Sequence, residues 1–371
     1  MPDPEAHARQ QIDAALEAAG WQVQDAAATN LYAANGVAIR EFPLTSGYGE
    51  ADYLLFADGQ AVGVVEAKKQ GTPLTGVELQ SARYGQGLPE KYPAPVRPLP
   101  FLYESTGVET RFTNRLDPEP RSRRVSAFHR PETATNWVST PLAVAGIAEG
   151  RPRYDARATL RARLQTMPPI DPAGLWPAQL TAVGNLEESL RADRPRALIQ
   201  MATGSGKTFT AITSIYRLVK YGGATRVLFL VDRANLGKQA EKEFQQYTAP
   251  DDGRKFTELY VVQRLTSNRI NPAAKVVITT IQRLYSMLQG EADLDPELEE
   301  RSLAETLGGQ GGPPGGMAAL KREPLPVVYN PEIPIETFDV IFTDECHRSI
   351  YNLWRQVLEY FDAFLVGLTA T

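Results

Sequence analysis

Apolar residues first recur at helical spacing. HARQQIDAALEAAGW reads as an amphipathic helix closed by Gly20, with Glu5, Ala8, Ile12, Ala15 and Ala19 on one inward stripe. The pattern then changes to short strand-like runs, DYLLFA and AVGVVEA, broken by Gly, Pro and Asp. A further helix is expected over residues 155–165, followed by a proline-rich joint, MPPIDPAG. Beyond it, helical stretches alternate with β-branched runs: ALIQMA, RVLFLVD, KVVITT, FDVIFTDE and FLVGLTA. Such alternation predicts a parallel sheet whose binding site lies at the carboxyl ends of the strands. The fold class is therefore α/β in two domains, a mixed sheet over residues 1–168 and a parallel sheet over 169–371. The glycine-rich GGQGGPPGGM, residues 308–317, reads as a surface insertion in the second domain.

Composition narrows the class without deciding it. The 371 residues suffice for two cores, and 43% hydrophobic with 22% charged residues is ordinary for a globular protein. There is no apolar run of membrane-spanning length, no secretory signal, and a single cysteine, Cys346, which excludes a disulfide framework; a cytoplasmic location is expected. A net charge of -5 argues against indiscriminate coating of nucleic acid, although an acidic total can conceal a basic channel.

The chemistry is densest in ALIQMATGSGKTFTA. A strand runs into the loop Thr203, Gly204, Ser205, Gly206, Lys207, Thr208 and then into a helix. Glycines there let backbone N–H groups approach phosphate oxygens, and the helix N-terminus adds its positive end. Lys207 would reach the β and γ phosphates and Thr208 would hold Mg²⁺; Met201 stands where the usual loop has Gly or Ala. FDVIFTDECH ends a strand in two acids, placing Asp344 to hold Mg²⁺ and Glu345 to polarise the attacking water. Gln179, one helix ahead of the loop, carries an amide able to read both the donor and the acceptor of an adenine edge.

In order, QMATGSGKT, LVDRANLGKQ, VVITTIQRL, DECH and GLTAT resemble motifs I, Ia, Ib, II and III of superfamily 2 helicases and translocases. The resemblance implies that Lys207, Thr208, Asp344 and Glu345 bind and hydrolyse MgATP, that Gln179 reads adenine, and that Arg233, Thr280 and Gln282 contact the nucleic-acid backbone. It also implies that the chain stops before a second RecA-like lobe carrying the arginine fingers, which ATPase activity would need.

A second chemistry lies in ADYLLFADGQAVGVVEAKK. Asp58-Gly59 is a hairpin signal between two strands, and Glu66 and Lys68, two apart, share a face. A three-residue loop would set Asp52 opposite Glu66 on that face. A two-residue loop would put the carboxylates on opposite faces unless a bulge intervened. Two acids and a lysine together are what Mg²⁺-dependent phosphodiester hydrolysis needs, although D…ExK alone is a weak pattern and a cross-strand Glu/Lys pair is often a surface ion pair. In TGVELQSARYGQG, Thr75 and Glu78 read as a capping box, and Gln80 and Tyr84 share one helical face just after the lysine strand. Glu5 is a possible additional acid.

This half resembles the PD-(D/E)xK nuclease domain, with its QxxxY element, of the restriction subunit of type I restriction-modification enzymes. The resemblance rests on EAHARQQIDAALEAAGW, the D…EAKK hairpin, QSARY and RRVSAFHRPE, and their order with the helicase motifs covers essentially the whole chain. It implies a catalytic set of Asp52, Glu66 and Lys68, the Ala67 carbonyl as a metal ligand, and Gln80 and Tyr84 positioning DNA. Ala51-Asp52 replaces the family's Pro-Asp. The activity implied is that of an ATP-dependent type I site-specific deoxyribonuclease acting on double-stranded DNA beside modification (methyltransferase) and specificity subunits. The rival readings are a translocase of another defence or repair system whose nuclease-like domain only clamps DNA, and an adaptor with both sites inert. No NKxD segment supports a GTPase.

Overall fold

The computed structural model describes residues 4–139, 159–251, 253–295, 299, 327–344 and 355–370. It is α/β, with two compact units, Met1–Ala162 and Arg163–Thr371. The expected insertion at 308–317 and residues 155–158 of the expected linking helix lie outside the described residues; the rest of that helix is the short α4, Leu160–Leu164. Among the described residues no helix is long and apolar enough to cross a membrane.

The first unit holds one seven-stranded mixed sheet in sequential order: β1 (Gln22–Asp25), β2 (Gly36–Pro43), β3 (Glu50–Ala57), β4 (Gln60–Ala67), β5 (Phe101–Ser105), β6 (Thr110–Asn114) and β7 (Arg123–Val125). β1 with β2 and β4 with β5 pair parallel; the other neighbours pair antiparallel. Helix α1 (Pro4–Ala18) ends as Gly20 predicts: with φ at 92°, Gly20 donates to the Glu17 carbonyl and Trp21 to that of Leu16, satisfying carbonyls the helix leaves open. Its buried stripe is Ala8, Ile12, Leu16 and Ala19; Ala15 is only partly buried and Glu5 is exposed, so the expected stripe needs correcting at both residues. Helix α2 (Glu78–Gln86) connects β4 to β5, and α3 is Pro131–Ser139. No capping box opens α2: its cap position is Val77, without a side-chain hydrogen bond, because the chain turns through Gly76 at φ 90° before the helix begins.

The β3–β4 hairpin reaches the expected register by another route. Its loop is the two-residue Asp58-Gly59, at φ 50° and 72°, the left-handed pair that a tight hairpin turn requires. A Cβ at Gly59 would also meet the ring of Tyr32 at 2.6 Å, a contact that this exposed side chain can relieve by moving. Ala57 pairs with Gln60 and Phe56 with Ala61, but Leu55 pairs with Gly63, leaving Val62 as the extra residue of a bulge. From there Leu54 faces Val64 and Tyr53 faces Val65, and the same register sets Asp52 opposite Glu66. The bulge supplies the one-residue shift that a longer loop would have supplied.

The second unit is built on a six-stranded, all-parallel sheet of β8 (Arg196–Gln200), β9 (Val227–Val231), β10 (Val261–Arg264), β11 (Ala274–Thr280), β12 (Val340–Thr343) and β13 (Phe364–Thr369), in the order β10-β11-β9-β12-β13-β8. All five expected strands are present. The additional β10 is an edge strand whose polar Gln263 and Arg264 hide it in the sequence. The helices are α5 (Pro177–Arg191), α6 (Lys207–Lys220), α7 (Ala234–Gln246), α8 (Phe256–Leu259), α9 (Ile281–Leu288) and α10 (Arg355–Leu358). α5 and α6 are locked by a buried ion pair in which Arg217 donates to both carboxylate oxygens of Glu187 and also to the Pro168 carbonyl, which pins the proline-rich joint.

Candidate functional site

Leu54, Val64 and Leu102 lie in one apolar cluster, and Val64 is paired with both of the others across the sheet. Two residues further on the same face the row becomes acidic, with Asp52 on β3, Glu66 on β4 and Glu104 on β5. Asp52 Oδ2 accepts the Ala67 N–H at 2.9 Å, and Oδ1 accepts Arg9 Nη2 at 2.9 Å. Lys68 Nζ donates to Glu66 Oε1 and, at 3.1 Å, to Gln80 Oε1; Gln80 Nε2 then donates to the Tyr84 hydroxyl at 2.9 Å. A cavity of about 180 Å³ is lined by Glu5, Ala8, Arg9, Asp52, Glu66, Ala67, Lys68, Gln80 and Tyr84. Every residue named from the sequence for this chemistry therefore meets in one place, Glu5 at its exposed rim. Arg9 is the member that sequence reasoning missed.

The electrostatics follow from burial. Removal from water pushes the Glu66 carboxyl up to about 7, against the pull of the Lys68 hydrogen bond and with added repulsion from Asp52. Burial disfavours the Lys68 ammonium, but its carboxylate neighbours outweigh that and its pKa is raised. Burial also raises the Tyr84 hydroxyl. Glu66 Oε2 is buried with no hydrogen-bond partner.

Glu104, also missed, is fully buried, with one oxygen accepting from Ser81 Oγ on α2 and the other without a partner. It does not line the cavity. Burial raises its pKa from 4.5 to about 7. Because the folded state binds this proton more tightly than the unfolded chain, stability present below about pH 4.5 is lost as the pH climbs towards 7 and is then constant. The loss is on the order of 3 kcal/mol. Glu104→Gln should therefore raise the thermal midpoint at pH 8 and make little difference at pH 5, in melts followed by circular dichroism with a chelator present. An equal gain at both pH values would contradict this account.

In the second unit the loop after β8 is anchored to the sheet and leads into α6. Met201 is buried and its N–H donates to the Thr369 carbonyl at 3.0 Å, so the residue that departs from the usual pattern ties the loop to β13. Gly206, at φ 83°, opens α6, and a Cβ there would lie 2.3 Å from Gln179 Nε2. Lys207 Nζ stands 3.2 Å from Asp344 Oδ1, and the Asp344 N–H is held by the Leu230 carbonyl at 2.9 Å, bringing both to one end of the sheet. Thr208 follows in the first turn of α6, and Thr203, Gly204 and Ser205 form the loop. Glu345 lies outside the described residues.

Three expectations look different here. Gln179 is buried; its Oε1 accepts the Trp176 N–H at 3.0 Å and its Nε2 donates to the Ser205 carbonyl at 3.2 Å, so it braces the phosphate loop, and adenine reading would require exchanging both bonds. Thr280, 3% exposed, caps α9 and donates to Glu299 at 2.9 Å; Gln282, 7% exposed, donates to the Asp232 carbonyl at 3.3 Å. Neither offers a surface to a nucleic-acid backbone, because docking of α9 buries both. Arg233 remains half-exposed at the start of α7, 3.8 Å from Asp232. Arg283, fully buried, clamps Glu299 at 2.7 and 2.9 Å, and sequence reading passed it over.

The family description "Type III restriction enzyme, res subunit" matches residues 173–371, over half of the chain, and takes in the phosphate loop, Asp344 and β13. The chain belongs to this family. A second description, "Type I restriction enzyme EcoKI endonuclease subunit second domain", matches residues 18–97, which contain Asp52, Glu66, Lys68, Gln80 and Tyr84. Relatives by sequence are named endonuclease subunits of type I restriction enzymes. That of EcoKI, from Escherichia coli K12, is 26% identical over 97% of this chain and 32% of its own length. That of EcoAI, from Escherichia coli, is 30% identical over 52% of this chain and 19% of its own. Among solved structures, an HsdR fragment of a type I restriction enzyme from Vibrio vulnificus YJ016 aligns over 100% of this chain and 55% of its own, at 19% identity and a TM-score of 0.31. The chain spans a third or less of the length of these curated relatives.

Proposed function

We propose that this chain is the nuclease and first motor portion of a type I restriction subunit: ATP hydrolysis moves double-stranded DNA, and the site on β3 and β4 cuts it with Mg²⁺. Residues 1–168 are then the nuclease domain and 169–371 the first motor lobe. The carrying observation is the convergence of Asp52, Glu66, Lys68, Gln80 and Tyr84 on one cavity, in a register that a bulge is required to produce.

The residues suit the metal. Glu66 Oε2 is a buried carboxylate oxygen in want of a partner, and Asp52 Oδ1 is held only by a half-exposed arginine. Two carboxylates suffice for an ion such as Mg²⁺, which keeps several of its waters. Asp52, Glu66 and the Ala67 carbonyl would hold it, and when bound it would stabilise charge developing on the phosphate. Lys68, held by Glu66 and Gln80, would orient or deprotonate water through Nζ. Gln80, itself braced by Tyr84, fixes Nζ in place. In the motor lobe Lys207 would meet the β and γ phosphates, Thr208 and Asp344 would hold Mg²⁺, and Glu345 would polarise water.

Supercoiled plasmid nicking by the assembled enzyme, with its modification and specificity subunits, tests the reading. Cutting should need both Mg²⁺ and ATP. ATP turnover on bound DNA with no nick under any divalent cation would leave the domain as a clamp.

A further inference from the structure

The two oxygens of Asp52 are unequally engaged. Oδ2 accepts the backbone N–H of Ala67, a bond built into the hairpin, and Oδ1 is where the mobile partner, Arg9, stands at 2.9 Å. A guanidinium and a divalent cation on one carboxylate repel at such range, so each weakens the other's hold. Arg9 has a second hold: Nη1 donates to Glu41 Oε1 at 2.7 Å. Glu41 sits on β2 opposite Asp52, between the pairs Arg40–Tyr53 and Phe42–Ala51, at φ 48°. A non-glycine residue in the left-handed region within a strand is strained, and such strain persists where the surroundings impose it, commonly beside functional sites. Arg9 and Glu41 side chains are 40% and 58% exposed, so this hold lies at the cavity mouth, in water, where rearrangement costs little.

Resting on the nuclease reading above, we propose that Arg9 is a phosphate-binding residue of this site. With a divalent cation held by Asp52 and Glu66, Arg9 would give up its bond to Asp52 Oδ1 and, kept at the mouth by Glu41, would turn its planar fork to a DNA phosphate. The charges of the lining side chains nearly cancel, so an arriving dication turns the site positive just as the arginine is released, and a phosphodiester is the anion at hand. The arginine thus links cation binding to DNA binding at a single carboxylate oxygen.

The test uses Mn²⁺ as the cation, followed by loss of its free electron-paramagnetic signal, and a fluorescent duplex in Ca²⁺ for DNA, on the 371-residue chain. Removing a competing, half-exposed ion pair should tighten Mn²⁺ binding in Arg9→Ala by about threefold to tenfold, and the Ca²⁺-dependent part of duplex affinity should fall by a similar factor. Arg9→Lys, which keeps the charge without the fork, should restore Mn²⁺ affinity to the parent value but not the duplex affinity. Weaker or unchanged Mn²⁺ binding in a folded Arg9→Ala would overturn the proposal, as would undiminished Ca²⁺-dependent DNA affinity. Glu66→Gln separates the two readings: if it removes Mn²⁺ binding while Arg9→Ala behaves as the parent, only the arginine proposal falls. If the parent shows no Mn²⁺ binding that Glu66→Gln removes, the nuclease reading falls and takes this one with it.

Discussion

Glu66→Gln is expected to abolish duplex cleavage by the assembled enzyme, by about 10³-fold or more, while ATP hydrolysis continues at the parent rate. The substitution is nearly isosteric in a buried position and keeps an oxygen for Lys68 to bind, so the fold and the Lys68–Gln80–Tyr84 chain should survive. What it removes is one carboxylate of the pair, Asp52 and Glu66, that faces the cavity. Groups that act as a unit lose most of their effect when any one is lost, so Asp52→Asn and Lys68→Ala should be about as severe as Glu66→Gln rather than fractions of it. ATP turnover should persist because all residues of this site belong to the first compact unit and all those of the phosphate loop to the second. Glu104→Gln is the internal control: it changes an equally buried acid on the next strand, outside the cavity, and should leave cutting intact. Plasmid nicking and phosphate release from the same preparations settle the matter. Cleavage by Glu66→Gln within tenfold of the parent would remove the catalytic assignment.

The reciprocal experiment replaces Lys207 with Ala. Its ammonium lies 3.2 Å from Asp344 at the mouth of the glycine loop, and no other lysine or arginine belongs to that loop. Losing it should weaken ATP binding by about 100-fold and end turnover, since the β and γ phosphates lose a charged donor in a partly buried site. ATP-dependent cleavage should vanish with it, while Mn²⁺ binding at Asp52 and Glu66 stays at the parent level. Nucleotide titration, phosphate release and the Mn²⁺ signal together distinguish this from unfolding. A Lys207→Ala protein that still hydrolyses ATP at a tenth of the parent rate would contradict the role assigned.

The sequence was most informative where burial alone sets the pattern. β9, β11, β12 and β13 are covered on both faces, so they read as unbroken apolar runs, and the parallel sheet followed from them. β10, exposed at the edge with two polar residues in four, left no such trace. The meeting of Asp52 with Glu66 was legible from chemistry, but its route was not: a bulge at Val62, in the middle of an apolar run, changes no local pattern. Glu104 in FLYES looks like the outward residue of an alternating strand, and only α2, closing over it through Ser81, makes it a core acid. Arg9 was passed over because its partners come from β2 and β3, far along the chain. Thr280 and Gln282 were placed by their position in a motif, whereas their burial depends on how α9 docks.

The Val62 bulge also constrains how this hairpin can vary among related chains. The turn and the bulge together fix a parity: a single inserted or deleted residue in either one exchanges the inward and outward sets of β4 and carries Glu66 away from Asp52. Two such changes of opposite sense cancel. A relative with one more residue at Asp58-Gly59 and one fewer at Val62 would present the same carboxylates on the same face, and an alignment forced to be gapless across this stretch would mismatch the residues between the turn and the bulge. In this hairpin, length differences should occur as compensating pairs, and an unpaired one marks a chain whose acids no longer face each other.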